Sequence, residues 1–396
     1  MKIGIFYELQ LPRPWSQDSE LKLFQNSLEQ VELADRLGID YVWTVEHHFL
    51  EEYAHSSAPE VFLAACSQRT RNIRLGHGVV LMPPGYNHPA RVAERIATLD
   101  LVSNGRVEFG TGESSSEAEL GGFGIARGDK RAMWQEGLEV TCRMMSEEPF
   151  HGHEGPYFRM PMRNVVPKPV QKPHPPVWVA CSRRETINLA ASLGIGALSF
   201  TFMSPAEASQ WVSDYYAKFE AESQPIVAAV NPNVAIVTGF MCNRDAGQAR
   251  AAAEDGLRFF AYALGHYYLF GRHEPARTDI WSNYRANPLS LPIIDGATSC
   301  VGSPEQIRQS LRAFESAGID QVVLVSQAGN NRHEDICASL ELFAKEVLPE
   351  FKERDPQRAK VKAERLAPII ERAMKRRSAP QLPPGGPITI QAGALL

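Results

Sequence analysis

Eight times along this chain, a short apolar run rich in β-branched residues is followed by a longer run with helical spacing. KIGIFYE (2–8) leads to a helical stretch from about Glu20 to Leu37, and DYVWTV (40–45) leads to PEVFLAACSQRT (59–70). IRLGHGVVL (73–81) precedes PARVAERIATLDLVS (89–103), and RVEFGTG (106–112) precedes a helix around Lys130 to Ser146. PPVWVAC (175–181), IGALSF (195–200), NVAIVTGFMC (233–242) and GIDQVVLVSQAG (318–329) repeat the pattern, the seventh followed by DAGQARAAAEDGLRFFAYA. Strands separated by helices pair in parallel through right-handed crossovers, and eight such units close most simply into a barrel. The expected fold is α/β, a (β/α)8 TIM barrel.

Two stretches break the rhythm. Residues 149–176 hold eight prolines and read as an excursion with a small hairpin; 266–302 is a long aromatic and proline-containing connection before a helix at 303–317. Connections of this length are uncommon and often cover a site. From Lys352 to Arg377, ten Lys/Arg stand against four Asp/Glu, which reads as a terminal helix interrupted near Pro368. A nucleic-acid arm or partner-docking helix is the rival reading, and a solvated terminal helix is preferred. The expected division is a barrel domain over 1–350 and a basic helical segment with a Pro/Gly-rich tail over 351–396.

Composition excludes several classes of function. With 44% hydrophobic residues, 22% charged residues and a net charge of −5, the chain is globular and has no general pull toward nucleic acid. The six cysteines form no CxxC pair, so neither a disulfide framework nor a zinc site is suggested. MKIGIFYELQ turns polar too soon for a signal peptide, and no run of about 18 apolar residues exists for a membrane span. A cytoplasmic protein is expected.

In a barrel, chemistry belongs at the C-terminal ends of the strands. The second strand runs straight into TVEHHF (44–49), which places Glu46, His47 and His48 there; the first strand ends in Tyr7 and Glu8. Adjacent histidines on a strand face opposite sides and do not readily share one ion, HExxH is absent, and the HxH of His151 and His153 lies in the proline-rich excursion. No metal is expected. Gly110-Thr111-Gly112 starts like a dinucleotide fingerprint but continues Glu-Ser-Ser; a GxxxxGK[ST] loop and a GxSxG elbow are both absent. Arg131, near a helix start, suits a phosphate, but a surface ion pair is the reading preferred from sequence alone. Ser182 and Thr186, at the next helix start, suit an anion. His47 reads either as a reactive imidazole or as a core-edge histidine bonded to Glu46 or a carbonyl. Spacing alone does not choose.

Taken together, MKIGIFYE, ADRLGIDYVWTVEHHF, LGHGVVLMPPGYNHPARVAERIATLDLVSNGRVEFGTG, PPVWVACS and VGSPEQIRQSLRAFESAGIDQVVLVSQAG resemble the bacterial luciferase-like, flavin-dependent monooxygenases, in family order from residue 1 to about 350. The resemblance implies reduced FMN as cofactor, delivered by a separate NAD(P)H:flavin reductase, with O2 and a small organic substrate meeting at a C4a-(hydro)peroxyflavin. It implies that Glu46 and His47 lie beside the flavin as catalytic residues, with His47 tuned by Glu46, and that His48 points away. It places a non-prolyl cis peptide at Gly78-Val79 under the ring and Gly112 at the flavin, and implies phosphate contacts from Arg131, Cys181, Ser182 and Thr186. Gly112 and Glu113 stand where luciferase carries a reactive cysteine and an arginine, so light emission is not expected. A homodimer follows by analogy. Trp281, Tyr267, Tyr268 and Phe270 suggest an apolar or aromatic substrate. The rivals are a deazaflavin (F420)-dependent hydride-transfer enzyme on the same barrel and a non-catalytic flavin-binding protein.

Overall fold

The computed structural model describes residues 1–287, 297–380, 382–383, 385–386 and 388. Eight parallel strands form the barrel: β1 (Lys2–Tyr7), β2 (Tyr41–Thr44), β3 (Arg74–His77), β4 (Val107–Gly112), β5 (Val177–Cys181), β6 (Gly196–Ser199), β7 (Val234–Cys242) and β8 (Gln321–Gln327). Each pairs with the next, from Gly4↔Tyr41 round to Val237↔Val323, and β8 returns to β1 with Ile5↔Leu324. The expected barrel is therefore present and closed. Its interior is packed with rings rather than open: Trp43 and Trp178 meet edge-on at 5.6 Å, and Phe6 and Phe200 lie 5.3 Å apart.

The run 73–81 is not one strand. It breaks at Gly78-Val79, a non-prolyl cis peptide, after which Val80 and Leu81 pair with Thr111 and Gly112 of β4. The helices in chain order are α1 (Ser19–Leu37), α2 (Pro59–Arg69), α3 (Pro89–Val102), α4 (Glu117–Gly122), α5 (Lys130–Ser146), α6 (Arg184–Leu193), α7 (Pro205–Glu222), α8 (Ala246–Gly265), α9 (Ile280–Ala286), α10 (Pro304–Ser316), α11 (His333–Glu346) and α12 (Leu348–Lys375). Proline at the first turn starts α2, α3, α7 and α10, and Ser303 with Gln306 forms a reciprocal capping box on α10.

The seventh unit differs from the expected one. The helix behind β7 is α8, but the helix that joins the outer ring between α7 and α11 is α10. α8 instead packs toward the C-terminal mouth, with Phe260 5.7 Å from the ring of Tyr53 and 5.9 Å from that of Phe202. A π-helical turn (His266–Phe270) and α9 continue this excursion. Two buried or half-buried acids in the loop after β2 tie it down. Glu52 accepts from the amides of Ile280 (2.5 Å) and Trp281 (3.0 Å), and Glu51 accepts from Ala276 N (2.7 Å) and contacts His273 Nε2 (3.1 Å). Residues 288–296 of the expected 266–302 excursion lie outside the described residues. The first excursion does contain its hairpin, His153–Glu154 against Arg159–Met160.

α12 runs unbroken through both Pro356 and Pro368, so the expected interruption is not made. Proline costs a helix a hydrogen bond, but burial of Leu366, Ile369 and Ala373 holds the later turns in place. Phe351 is buried, and Lys352 and Lys362 reach Asp40 and Asp320, each at 2.6 Å. Those aspartates directly precede β2 and β8, so the basic helix lies against the N-terminal end of the barrel. Of the Pro/Gly-rich tail, residues 381, 384, 387 and 389–396 lie outside the described residues. Among the described residues no helix is long and apolar enough to cross a membrane.

Candidate active site at the C-terminal mouth

Three loops present the chemistry, and each bends through a left-handed residue that is not glycine. Leu9 (φ 58°) follows Glu8, Phe49 (φ 65°) follows His47 and His48, and Ser114 (φ 60°) follows β4. Such a residue costs about 1 kcal/mol or more and persists where surrounding contacts over-determine it. Here they do. Leu9 is fully buried with its carbonyl accepting from His55 N, while Phe49 packs 5.5 Å from Phe123.

Glu46 is buried at the end of β2, where Oε2 accepts from Leu81 N (2.8 Å) and Oε1 from Asn87 Nδ2 (2.8 Å). Its own amide donates to Val79 O (3.1 Å). Glu46 thus fixes both sides of the backbone that carries the Gly78-Val79 bond. Its imidazole partner is His48, with Nε2 3.1 Å from Oε1.

This overturns the expected pairing of Glu46 with His47. Backbone alternation throws the two side chains apart, so His48 returns to Glu46 and His47 is left to other acids. His47 Nδ1 lies 2.9 Å from Glu119 Oε1, and Nε2 lies 3.6 Å from Glu8 Oε2. Glu119, from α4, also accepts from His48 N (3.0 Å) and Ser114 Oγ (2.7 Å). Glu8 accepts from Tyr53 OH on Oε1 (2.9 Å), and among the described residues its buried Oε2 has no hydrogen-bond partner. Burial opposes the charged imidazolium of His47, yet the attraction of Glu119 and Glu8 outweighs it and carries the pKa up to about 9. Burial pushes the Glu8 carboxyl up to about 7, against the pull of His47. Burial likewise opposes ionisation of Glu119, but His47, Ser114 and His48 N bring it below its ordinary value.

Sequence places Glu8 at the end of the first strand without linking it to His47, and it does not single out Glu119. Glu119 stands 72 residues from His47, so no local spacing betrays it. The adjoining Gly-Gly-Phe was the one available signal. A Cβ at Gly122 would come 2.4 Å from the Phe49 ring, so glycine lets that loop close.

The rest of the mouth offers a planar ring and its phosphate a place. Gly112 faces Val79 so closely that a Cβ would meet its Cγ2 at 2.4 Å. Arg131, in the first turn of α5, is half exposed and pairs with Glu113, Nη2 to Oε1 at 3.0 Å. It also lies within electrostatic reach of Glu185 and Cys181, which places it beside the start of α6. Among the described residues no side chain caps α6; Ser182 is exposed there and Thr186 half-buried, so first-turn amide donors remain open to an anion. The Cys181 thiol is not at this surface. It is fully buried and donates to Val179 O at 3.4 Å. An isoalloxazine with a terminal phosphate fits this donor set: small residues and a peptide edge on one side, an arginine and a helix start on the other.

His151 and His153 separate, toward Glu147 (3.5 Å) and Glu136 (3.0 Å). Among the described residues no cluster of three or more His, Cys, Asp or Glu is arranged to hold a metal.

Residues 1–321 match the model of a family described as luciferase-like monooxygenase. The first curated relatives, two uncharacterized proteins of Sinorhizobium fredii at 33% and 31% identity, are matched over 56% and 47% of their own length, so the chain spans about half of each. The oxygenase component of a flavin-dependent trigonelline monooxygenase from Acinetobacter baylyi is 24% identical over 364 residues, 89% of this chain and 96% of that one. Among solved structures, the monooxygenase RslO1 of Streptomyces bottropensis is 27% identical with a TM-score of 0.73, covering 89% of this chain and 100% of that one. An F420-dependent secondary alcohol dehydrogenase shares the fold at 20% identity and a TM-score of 0.67, over 87% of this chain and 98% of that one.

Proposed function

Because the chain belongs to the luciferase-like monooxygenase family, we propose that it uses reduced FMN and O2 to oxygenate a small, apolar or aromatic organic molecule. The supporting observation is the convergence at one mouth of an acid-bracketed imidazole, a peptide edge at Gly78-Val79 and an open floor at Gly112. When bound, reduced FMN supplies the electrons that activate O2. Gly78, Val79 and Gly112 would lie against its ring, and Arg131, Ser182 and Thr186 would hold its phosphate, with Cys181 as the wall behind them. His47 would exchange a proton at Nε2, while Glu46 keeps the 79–81 backbone in place. Tyr53, Phe260 and Tyr268 would exclude water above it.

The sequence holds no dinucleotide fingerprint, which supports reduction of the flavin by a separate reductase. α2 and α3 expose Val61, Leu101 and Val102, an apolar surface that suits a second copy in a homodimer. Photoreduced FMN and reduced F420, each mixed with the protein and then with oxygen, test the reading. FMN binding with O2 use that depends on His47 supports it. F420 binding, no FMN binding and no O2 use would replace it with hydride transfer on the same barrel.

A further inference from the structure

A neutral imidazole carries one N–H and one lone pair, so it donates to one acid only. His47 has an acid at each ring nitrogen, Glu119 at 2.9 Å from Nδ1 and Glu8 at 3.6 Å from Nε2. With both acids ionised, either neutral tautomer would turn one lone pair on a carboxylate inside a largely buried site; burial works against the ionisation of Glu8, and a charged His47 works for it. The imidazolium alone offers a proton to both. Glu119 is committed as an acceptor, because the His48 amide and the Ser114 hydroxyl already donate to it. Among the described residues Glu8 receives only Tyr53 OH, and its second oxygen has no hydrogen-bond partner but faces His47.

The other groups around the imidazole do not reverse this balance. From the loop after β2, Glu46 adds attraction, and His48 turns its Nε2 to Glu46. Tyr53, Tyr86 and Tyr268 are phenols whose ionisation burial discourages. None of them brings a positive charge toward Nε2.

We propose that Glu8 is a positioning residue which, together with Glu119, holds His47 doubly protonated at neutral pH, so that His47 enters the reaction as a proton donor from Nε2 and not as a base. The clamp itself belongs to the protein without flavin; only its use in turnover rests on the oxygenase reading above. The Nε2 proton is the one left for a reactant, since Nδ1 is engaged by Glu119 and, among the described residues, no atom accepts from Nε2 within hydrogen-bond distance.

Histidine ring-nitrogen NMR of the 15N-histidine-labelled, flavin-free protein tests this, with the His47 signal identified by its loss in His47→Asn. Wild-type His47 is expected to show two protonated ring nitrogens at about pH 7.5, well above the ordinary midpoint near 6.5. Glu8→Gln, which keeps the acceptor for Tyr53 but removes the charge, is expected to lower the His47 midpoint by about one unit or more. Glu8→Asp, which withdraws the charge without deleting it, should fall between and serves if the glutamine variant does not fold. In turnover, the basic limb of the kcat profile should move down with the same midpoint in Glu8→Gln, with KM little changed. A singly protonated wild-type imidazole at neutral pH, or a midpoint unmoved in both variants, overturns the proposal. The NMR result stands whether or not FMN proves to be the cofactor.

Discussion

Glu113 and Arg131 meet across the rim of the mouth, guanidinium Nη2 to carboxylate Oε1 at 3.0 Å, with half of the arginine side chain still in solvent. The acid therefore occupies the cation that would bind a flavin phosphate. An exposed ion pair of this kind contributes about 1 kcal/mol or less, so Glu113→Gln should tighten FMN binding by at most about fivefold. Arg131→Ala should weaken it by roughly tenfold or more, the size of a lost charge-assisted hydrogen bond. Riboflavin, which lacks the phosphate, should respond to neither change. Flavin fluorescence titrations of the wild type and both variants read these affinities, and equal losses for FMN and riboflavin would remove Arg131 from the phosphate.

Gly112→Ala should both destabilise the protein and block the ring site. The new Cβ would sit 2.4 Å from Val79 Cγ2, and a β-branched side chain has few rotamers into which it can retreat. Overpacking of this sort costs about 1–3 kcal/mol. Thermal unfolding measures it, and adding Val79→Ala should recover most of the stability. A single variant as stable as the wild type would mean that the approach is not tight.

Stability should carry the signature of His47. Its folded pKa, about 9, lies above the unfolded value of 6.5, so the native state holds the proton more tightly. That contribution is complete below 6.5 and is lost as pH rises through about 9. Its ceiling is about 3 kcal/mol. Glu8, raised from 4.5 to about 7, acts with the same sign in its own lower window. Urea unfolding of wild type and His47→Gln should show a stability gap that narrows from about pH 6.5 to about pH 9.5. A gap that widened would contradict the bracketing of His47 by acids.

Glu52→Ala should release the excursion over the mouth. The buried carboxylate accepts from Arg13 N, Ile280 N and Trp281 N, and no described side chain stands ready to take its place. The loss should be about 3 kcal/mol or more, from several charge-assisted bonds at once. Hydrogen exchange should speed up around residues 271–286 while β1 to β8 stay protected. Uniform exchange across the chain would instead indicate global destabilisation.

Much of the architecture was legible because burial leaves period-two and period-3.6 patterns on neighbouring segments, as in YVWT followed by α2. The helix expected at 303–317 is α10, which runs Pro304–Ser316. The pattern does not say which surface a helix covers, so α8 passed for an outer helix when its apolar stripe faces Tyr53 and Phe202. Strand-end position brought His47 into view. The identity of its acids depended on contacts 39 and 72 residues away, which only the closed barrel assembles. Adjacency misled in the opposite sense, since Glu46 and His47 are neighbours along the chain and turn to different partners.

The loop after β2 serves two masters. At one end His47 hangs from it, with its amide fastened to Ser56 O; in the middle Glu51 and Glu52 moor the excursion above. A molecule that lifts the excursion to get in pulls on the same tether that aims the imidazole. Opening of the excursion would then be transmitted to His47 through the one loop that holds both.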